Sequence, residues 1–151
     1  MLDELDRRIL RQLQAIPDMS MPDLADMVGL SPARASRRVD RMQSVGVITG
    51  HQAIIDWRAL GYAVHVSLRI TLDKTMTRAF DDFLAAARAV PEVLEIQTFL
   101  GRVDVRLAVV ALDLSDYQRL YRDRILILPH IADIEALMDV ANVKSDRTVP
   151  L

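Results

Sequence analysis

The sequence predicts an α+β chain in two parts, a helical head followed by a βαββαβ sheet domain. Three observations carry that expectation. Residues 3–44 hold three apolar-periodic segments, each with helix start or stop signals. Residues 64–140 alternate extended β-branched runs with helical ones. A helix followed by Val90-Pro91-Glu92-Val93-Leu94-Glu95-Ile96 is echoed 38 residues later by a helix followed by Leu128-Pro129-His130-Ile131-Ala132-Asp133-Ile134, the mark of an internal repeat.

The first helix is predicted over about Asp3 to Ala15. Asp3 caps it, with Asp6 three positions on, and Leu5, Ile9, Leu13 and Ile16 form its buried stripe. Ser20 with Asp23 starts a second helix and Gly29 closes it, while Ser31 followed by Pro32 starts a third. Val45-Gly46-Val47-Ile48-Thr49-Gly50 reads as a turn into a short strand, which makes the head a winged helix-turn-helix. Ile54-Ile55 suggests a further extended segment, and Asp56–Tyr62 a brief helical turn stopped by Gly61. The boundary is expected there, giving domains of residues 1–61 and 62–151.

The second part runs strand, helix, strand twice: 64–72, 77–89 and 93–100, then 103–112, 115–126 and 131–140. This is the ferredoxin-like plan. Val64, Val66, Leu68, Ile70 and Leu72 share one side of the first strand, and His65, Ser67, Arg69 and Thr71 the other. Two helices cover only one face of a four-stranded sheet. The uncovered face also carries Glu95, Gln97, Phe99, Asp104, Arg106, Asp133, Glu135 and Asp139. A sheet-to-sheet dimer interface is the preferred expectation for it, and a solvated face the alternative.

With 151 residues and 51% hydrophobic content the chain has ample material for a core. Its formal net charge is −2, so any affinity for nucleic acid has to come from a local patch. Such a patch is visible: four of the eight arginines in residues 1–62 fall in the third helix. The chain has no cysteine, and its three histidines show no metal-ligand spacing, so neither a metal nor another cofactor is expected. No apolar run approaches the roughly 18 residues that span a bilayer, and an acidic start is unlike a signal peptide. A cytoplasmic protein without membrane contact is expected.

At about 100° per residue, Ala35, Val39 and Met42 share one face of the third helix, and Arg34, Arg37 and Arg41 the other. One face packs and the other suits the major groove of double-stranded DNA. Arg37 and Arg41 are expected to reach base edges or phosphates, with Arg34 and Arg38 flanking. Ser31 and Pro32 open the helix, where Ser31 and first-turn N–H groups suit a phosphate. A basic face paired with Asp40 and solvent is the alternative.

The whole chain resembles the Lrp/AsnC family of transcription factors. The resemblance rests on Leu2-Asp3-Glu4-Leu5-Asp6-Arg7-Arg8-Ile9-Leu10, Leu24-Ala25, Val28-Gly29-Leu30-Ser31-Pro32, Arg37-Arg38-Val39-Asp40-Arg41-Met42 and Gly46-Val47-Ile48-Thr49-Gly50. Pro91-Glu92-Val93, Gly101-Arg102-Val103-Asp104, Leu128-Pro129, Val143-Lys144 and Val149-Pro150-Leu151 extend it. It implies a DNA-binding head, an effector-binding domain, dimers that assemble into octamers, and control of amino-acid metabolism genes. It also implies a small effector, typically an amino acid, at the loop Leu100, Gly101, Arg102, Val103, Asp104, with Ala136 on the fourth strand.

Glycine lets backbone N–H groups approach a carboxylate, and an aspartate accepts from an ammonium. Val103 stands where the family commonly has an aromatic residue, and Ala136 where a threonine often faces the effector. Both favour an apolar or aromatic effector side chain. Some relatives of this fold are sirohaem decarboxylases, but Ile96–Gly101 has no histidine and no nucleophile set is evident, so an enzyme is not expected. A ligand-independent protein that wraps DNA is the remaining alternative.

Overall fold

The computed structural model describes residues 2–144 and 148–151. They form two compact units, one from Met1–Ile54 with Lys144–Leu151, the other from Ile55–Val143. Sequence reasoning put the change after Gly61 and kept the tail with the sheet. The difference at the first boundary has a visible cause: the turn at 56–62 belongs with the sheet domain, where the Trp57 ring lies 5.2 Å from that of His65. The tail belongs with the head through Val149, whose N–H donates to Gln14 Oε1 (2.8 Å) and whose carbonyl accepts from Gln14 Nε2 (3.2 Å).

The head has helices α1 (Glu4–Ala15), α2 (Met21–Val28) and α3 (Pro32–Ser44). Asp3 and Asp6 form a reciprocal capping box on α1. Ser20 caps α2, and Gly29 ends it in the left-handed region (φ +71°), where a side chain would add strain. Ile9, Leu24, Val28, Val39 and Met42 form the core of the head. Ile16, expected in that core, is half exposed because α1 ends one residue earlier and Ile16 leaves the helical conformation.

The expected wing strand is absent among the described residues, as is regular structure at Ile54-Ile55. The reason is local: the N–H groups of Val47 and Ile48 both donate to the Met42 carbonyl and finish α3, instead of entering a ladder. The helical turn before Gly61 is present, closed by N–H bonds from Ala59, Leu60 and Gly61 to Asp56, Trp57 and Arg58.

The second unit is an antiparallel sheet of β1 (Val64–Leu72), β2 (Val93–Thr98), β3 (Val105–Ala111) and β4 (Ile131–Met138), in the order β2-β3-β1-β4. Helices α4 (Ala79–Arg88) and α5 (Leu114–Leu120) cover one face. This is the ferredoxin-like arrangement. The alternation expected along β1 is observed, with Val64, Val66, Leu68, Ile70 and Leu72 in the core around Phe83. The repeat also has a physical meaning, because Val90 and Leu128 hold equivalent places in that one core.

After α5 the chain widens into a π-helical turn, Tyr121–Ile125, closed by the Leu126 N–H on the Tyr121 carbonyl (2.8 Å). A regular helix would put Leu120 and Ile125 about 140° apart, whereas here both are buried.

The uncovered face carries a row of ionic side chains. Arg106 donates to Ser67 Oγ (2.7 Å) and Gln97 Oε1 (2.8 Å), and lies 3.6 Å from Glu95; Arg69 lies 3.6 Å from Glu135, and His65 pairs with Asp139.

Candidate nucleic-acid interface and effector loop

Helix α3 presents its arginines in two different ways. Ala35, Val39 and Met42 are buried, as the spacing requires. Arg34 is exposed and makes no side-chain hydrogen bond among the described residues, and Arg37 is exposed with only a long Nε contact (3.4 Å) to the Ala33 carbonyl. Arg38 and Arg41, by contrast, turn toward α1. Arg38 Nη1 donates to Asp3 Oδ1 (2.9 Å), Asp3 Oδ2 (2.7 Å) and Asp6 Oδ1 (2.8 Å), while Arg41 Nη2 donates to Asp6 Oδ2. Asp40 is not their partner; it accepts from Ser36 Oγ (3.5 Å). Ser31 occupies the N-cap position without a side-chain cap bond, so its hydroxyl is not used within the helix, and Pro32 follows at the first turn.

The Asp6 side chain is fully buried. It lies on the apolar stripe with Leu2, Ile9 and Leu13, where a carboxylate needs paired charge and donated hydrogen bonds. It has them: the Asp3 N–H (3.0 Å) and both guanidiniums. Burial alone would raise the pKa of Asp6; the Asp3 N–H, Arg38 and Arg41 outweigh it and hold the carboxyl below its ordinary 3.8. The Asp6 N–H and then Arg38 lower the pKa of Asp3.

A carboxylate whose folded pKa is lowered stabilises the fold above its unfolded pKa and loses that contribution as pH falls through the folded one. The head is therefore expected to lose stability as pH falls below about 4. Thermal unfolding of the wild type and Asp6→Asn across this range checks it, since the wild type should have the steeper acid loss.

In the second unit, the loop between β2 and β3 runs through Leu100, Gly101, Arg102, Val103 and Asp104. Leu100 is fully exposed, and Gly101 has φ +155°, a backbone conformation L side chains rarely adopt. The N–H groups of Gly101 and Arg102 donate to no backbone carbonyl or side chain among the described residues. Asp104 is buried at the foot of the loop. Its Oδ2 accepts from the Leu72 N–H (2.9 Å) and its Oδ1 from Lys74 Nζ (2.8 Å), while Thr71 Oγ1 donates to the Arg102 carbonyl (3.2 Å). Burial works against ionisation of Asp104, but Lys74 and the Leu72 N–H more than compensate and lower its pKa.

Asp104→Ala is expected to destabilise the sheet domain by about 1–3 kcal/mol, since it strands the buried Leu72 N–H. Denaturant unfolding measures it.

Ala136 is exposed on β4 opposite Leu68, whereas the loop meets β1 near Ile70–Leu72 from the β3 side. With β1 between them, one chain does not bring Ala136 to the loop. A cavity of about 270 Å³ does adjoin the loop, lined by Val103, Phe99, Arg69 and Arg106.

Sequence reasoning paired Asp6 with Asp3 in the cap and Asp104 with an effector ammonium, but gave Asp6 neither of its arginines and Asp104 no lysine. The first had a signal, a carboxylate on an apolar stripe. The second had none, because Lys74 meets Asp104 only through the register of β1 with β3.

A helix-turn-helix with exposed arginines on its last helix, joined to a ferredoxin-like sheet, defines the class: a two-domain DNA-binding transcriptional regulator. Residues 2–49 match the family model of the winged helix-turn-helix DNA-binding domain, and residues 65–149 that of the Lrp/AsnC ligand binding domain.

The chain is 35% identical over 133 residues to a proline dehydrogenase transcriptional activator of Rhodobacter capsulatus, covering 87% of this chain and 86% of that one. It is 33% identical to the leucine-responsive regulatory protein of Haemophilus influenzae, over 99% of this chain and 90% of the relative. An AsnC family regulator from Agrobacterium tumefaciens superposes with a TM-score of 0.90 at 31% identity, covering 99% and 97% of the two chains. A Neisseria meningitidis regulator, solved as an L-Met complex, shares the fold with a TM-score of 0.92 at 23% identity, covering 99% and 97%. The chain belongs to the Lrp/AsnC family of transcriptional regulators.

Proposed function

We propose that this regulator responds to an amino acid bound at the loop 100–104 and controls genes of amino-acid metabolism. The observation that carries the reading is the ammonium already seated at the site. Lys74 Nζ lies on Asp104 Oδ1, at the foot of the loop whose Gly101 and Arg102 N–H groups suit a carboxylate. Lys74 is largely exposed, so an effector ammonium exchanges with its own kind. The names of relatives, one leucine-responsive and one an activator of proline dehydrogenase, agree with an amino-acid signal.

The reading includes dimers joined through the uncovered sheet face and assembled into octamers, with Ala136 reaching the effector from a neighbouring protomer. The charges of both signs on that face suit pairing across a two-fold axis. It places the protein in the cytoplasm, consistent with the absence of a membrane-length apolar helix among the described residues. It assigns no catalytic role: among the described residues the histidine–aspartate pairs His65–Asp139 and His130–Asp82 hydrogen-bond to no serine or threonine hydroxyl.

Calorimetry with the twenty amino acids tests the effector. Binding by the wild type, tighter binding by Lys74→Ala and binding weakened about 10- to 100-fold by Asp104→Asn are expected. No binding by wild type or Lys74→Ala would favour the DNA-wrapping, ligand-independent alternative. Sedimentation tests the assembly, and a monomer at micromolar concentration would remove the dimer from the reading.

A further inference from the structure

Asp6 touches two arginines of the DNA-facing helix but places them differently. Arg38 is spent: one nitrogen meets three carboxylate oxygens, and its side chain is 23% exposed. Arg41 is held from behind. Among the described residues only its Nη2 is engaged, by Asp6 Oδ2, and its side chain remains 51% exposed.

A guanidinium has five donors in a planar fork. One nitrogen on a buried carboxylate restrains the guanidinium and leaves its other N–H groups without a partner among the described residues. An arginine ordered in this way loses less conformational freedom when it meets a base edge. The carboxylate is itself fixed by the Asp3 N–H and Arg38, within the capping box that starts α1.

We propose that Asp6 is a positioning residue for DNA readout: its buried carboxylate aims Arg41 at the base edges, while Arg38 belongs to the support and not to the contact surface. The anion that recognises Arg41 from behind thus makes its outward edge selective as well as cationic. Without Asp6, Arg41 is a flexible cation able to neutralise a phosphate but poorly placed to choose a base. Specificity and salt dependence then move in opposite directions, which a purely structural role for Asp6 does not produce.

The experiment uses the full chain with a preferred duplex, selected from a random library, and a mixed-sequence duplex as competitor. Asp6→Asn keeps the side chain's shape and an acceptor but removes the charge. It is expected to reduce discrimination between the two duplexes about tenfold. It should also steepen the dependence of log affinity for the mixed duplex on log salt by about 0.9 per released arginine. Arg41→Lys, which keeps a cation beside Asp6 and leaves Arg38 in place, should lose the same discrimination while keeping its salt slope. Asp3→Asn, which touches Arg38 and not Arg41, should leave discrimination unchanged.

Should Asp6→Asn fail to fold, Arg41→Lys still decides. Undiminished discrimination in Arg41→Lys, or in a folded Asp6→Asn, would overturn the proposal. So would loss of discrimination in Asp3→Asn equal to that in Asp6→Asn.

Discussion

Duplex DNA binding is expected to fall by about 2–6 kcal/mol when Arg34 and Arg37 are both replaced by alanine. The range is two losses of about 1–3 kcal/mol each, as for arginines that meet base edges or bridge to phosphates. These two are the exposed cations of α3 that no carboxylate among the described residues engages. The chain's net charge of −2 supplies no general attraction to compensate. Titration against salt separates the two roles: loss of a phosphate contact flattens the slope by about 0.9, whereas loss of base readout lowers preference without changing the slope. An unchanged affinity in the double variant would place the contact surface elsewhere on the head.

Phe83→Ala is expected to destabilise the sheet domain by about 3–5 kcal/mol. Phe83 is fully buried and is the largest side chain among the completely enclosed ones, on α4 over the strands β1 and β3. Its removal leaves a void that the flanking aliphatic residues cannot fill, because strand register holds Val66, Leu68, Val109 and Leu107 in place. Chemical denaturation followed by circular dichroism measures the loss. A cost below about 1 kcal/mol would mean that the core collapses around the vacancy.

The fold was legible wherever the physics is local. Capping pairs such as Asp3 with Asp6 and Ser20 with Asp23, the closing Gly29, and the two-residue period of β1 are decided within a few positions, and each is found where its residues predict. The 38-residue echo held for the same reason, since each half is one strand-helix-strand unit. Reasoning failed where a residue's partner is distant. Arg34, Arg37 and Arg41 share one helical face on paper with Arg38 flanking, but spacing does not reveal that Arg38 and Arg41 also meet Asp3 and Asp6, some 35 positions away. The wing strand failed differently: Val47 and Ile48 have strand-like side chains, but the end of α3 claims their N–H groups first. At the loop 100–104, Gly101 and Asp104 were visible as chemistry. Lys74, which occupies Asp104, and the placement of Ala136 across β1 emerge only from the register of three strands.

The grouping of the tail with the head gives the chain the topology of an insertion. The polypeptide leaves the head after Ile54, builds the whole sheet domain, and comes back at Lys144 to lay Val149 against Gln14. On a ribosome, α1 to α3 emerge first, but the Gln14 side chain receives its backbone partner only after β4 has been made. The head is thus finished last although it is begun first. A fusion or deletion placed after β4 is an alteration of the DNA-binding head, even though in sequence it adjoins the effector domain.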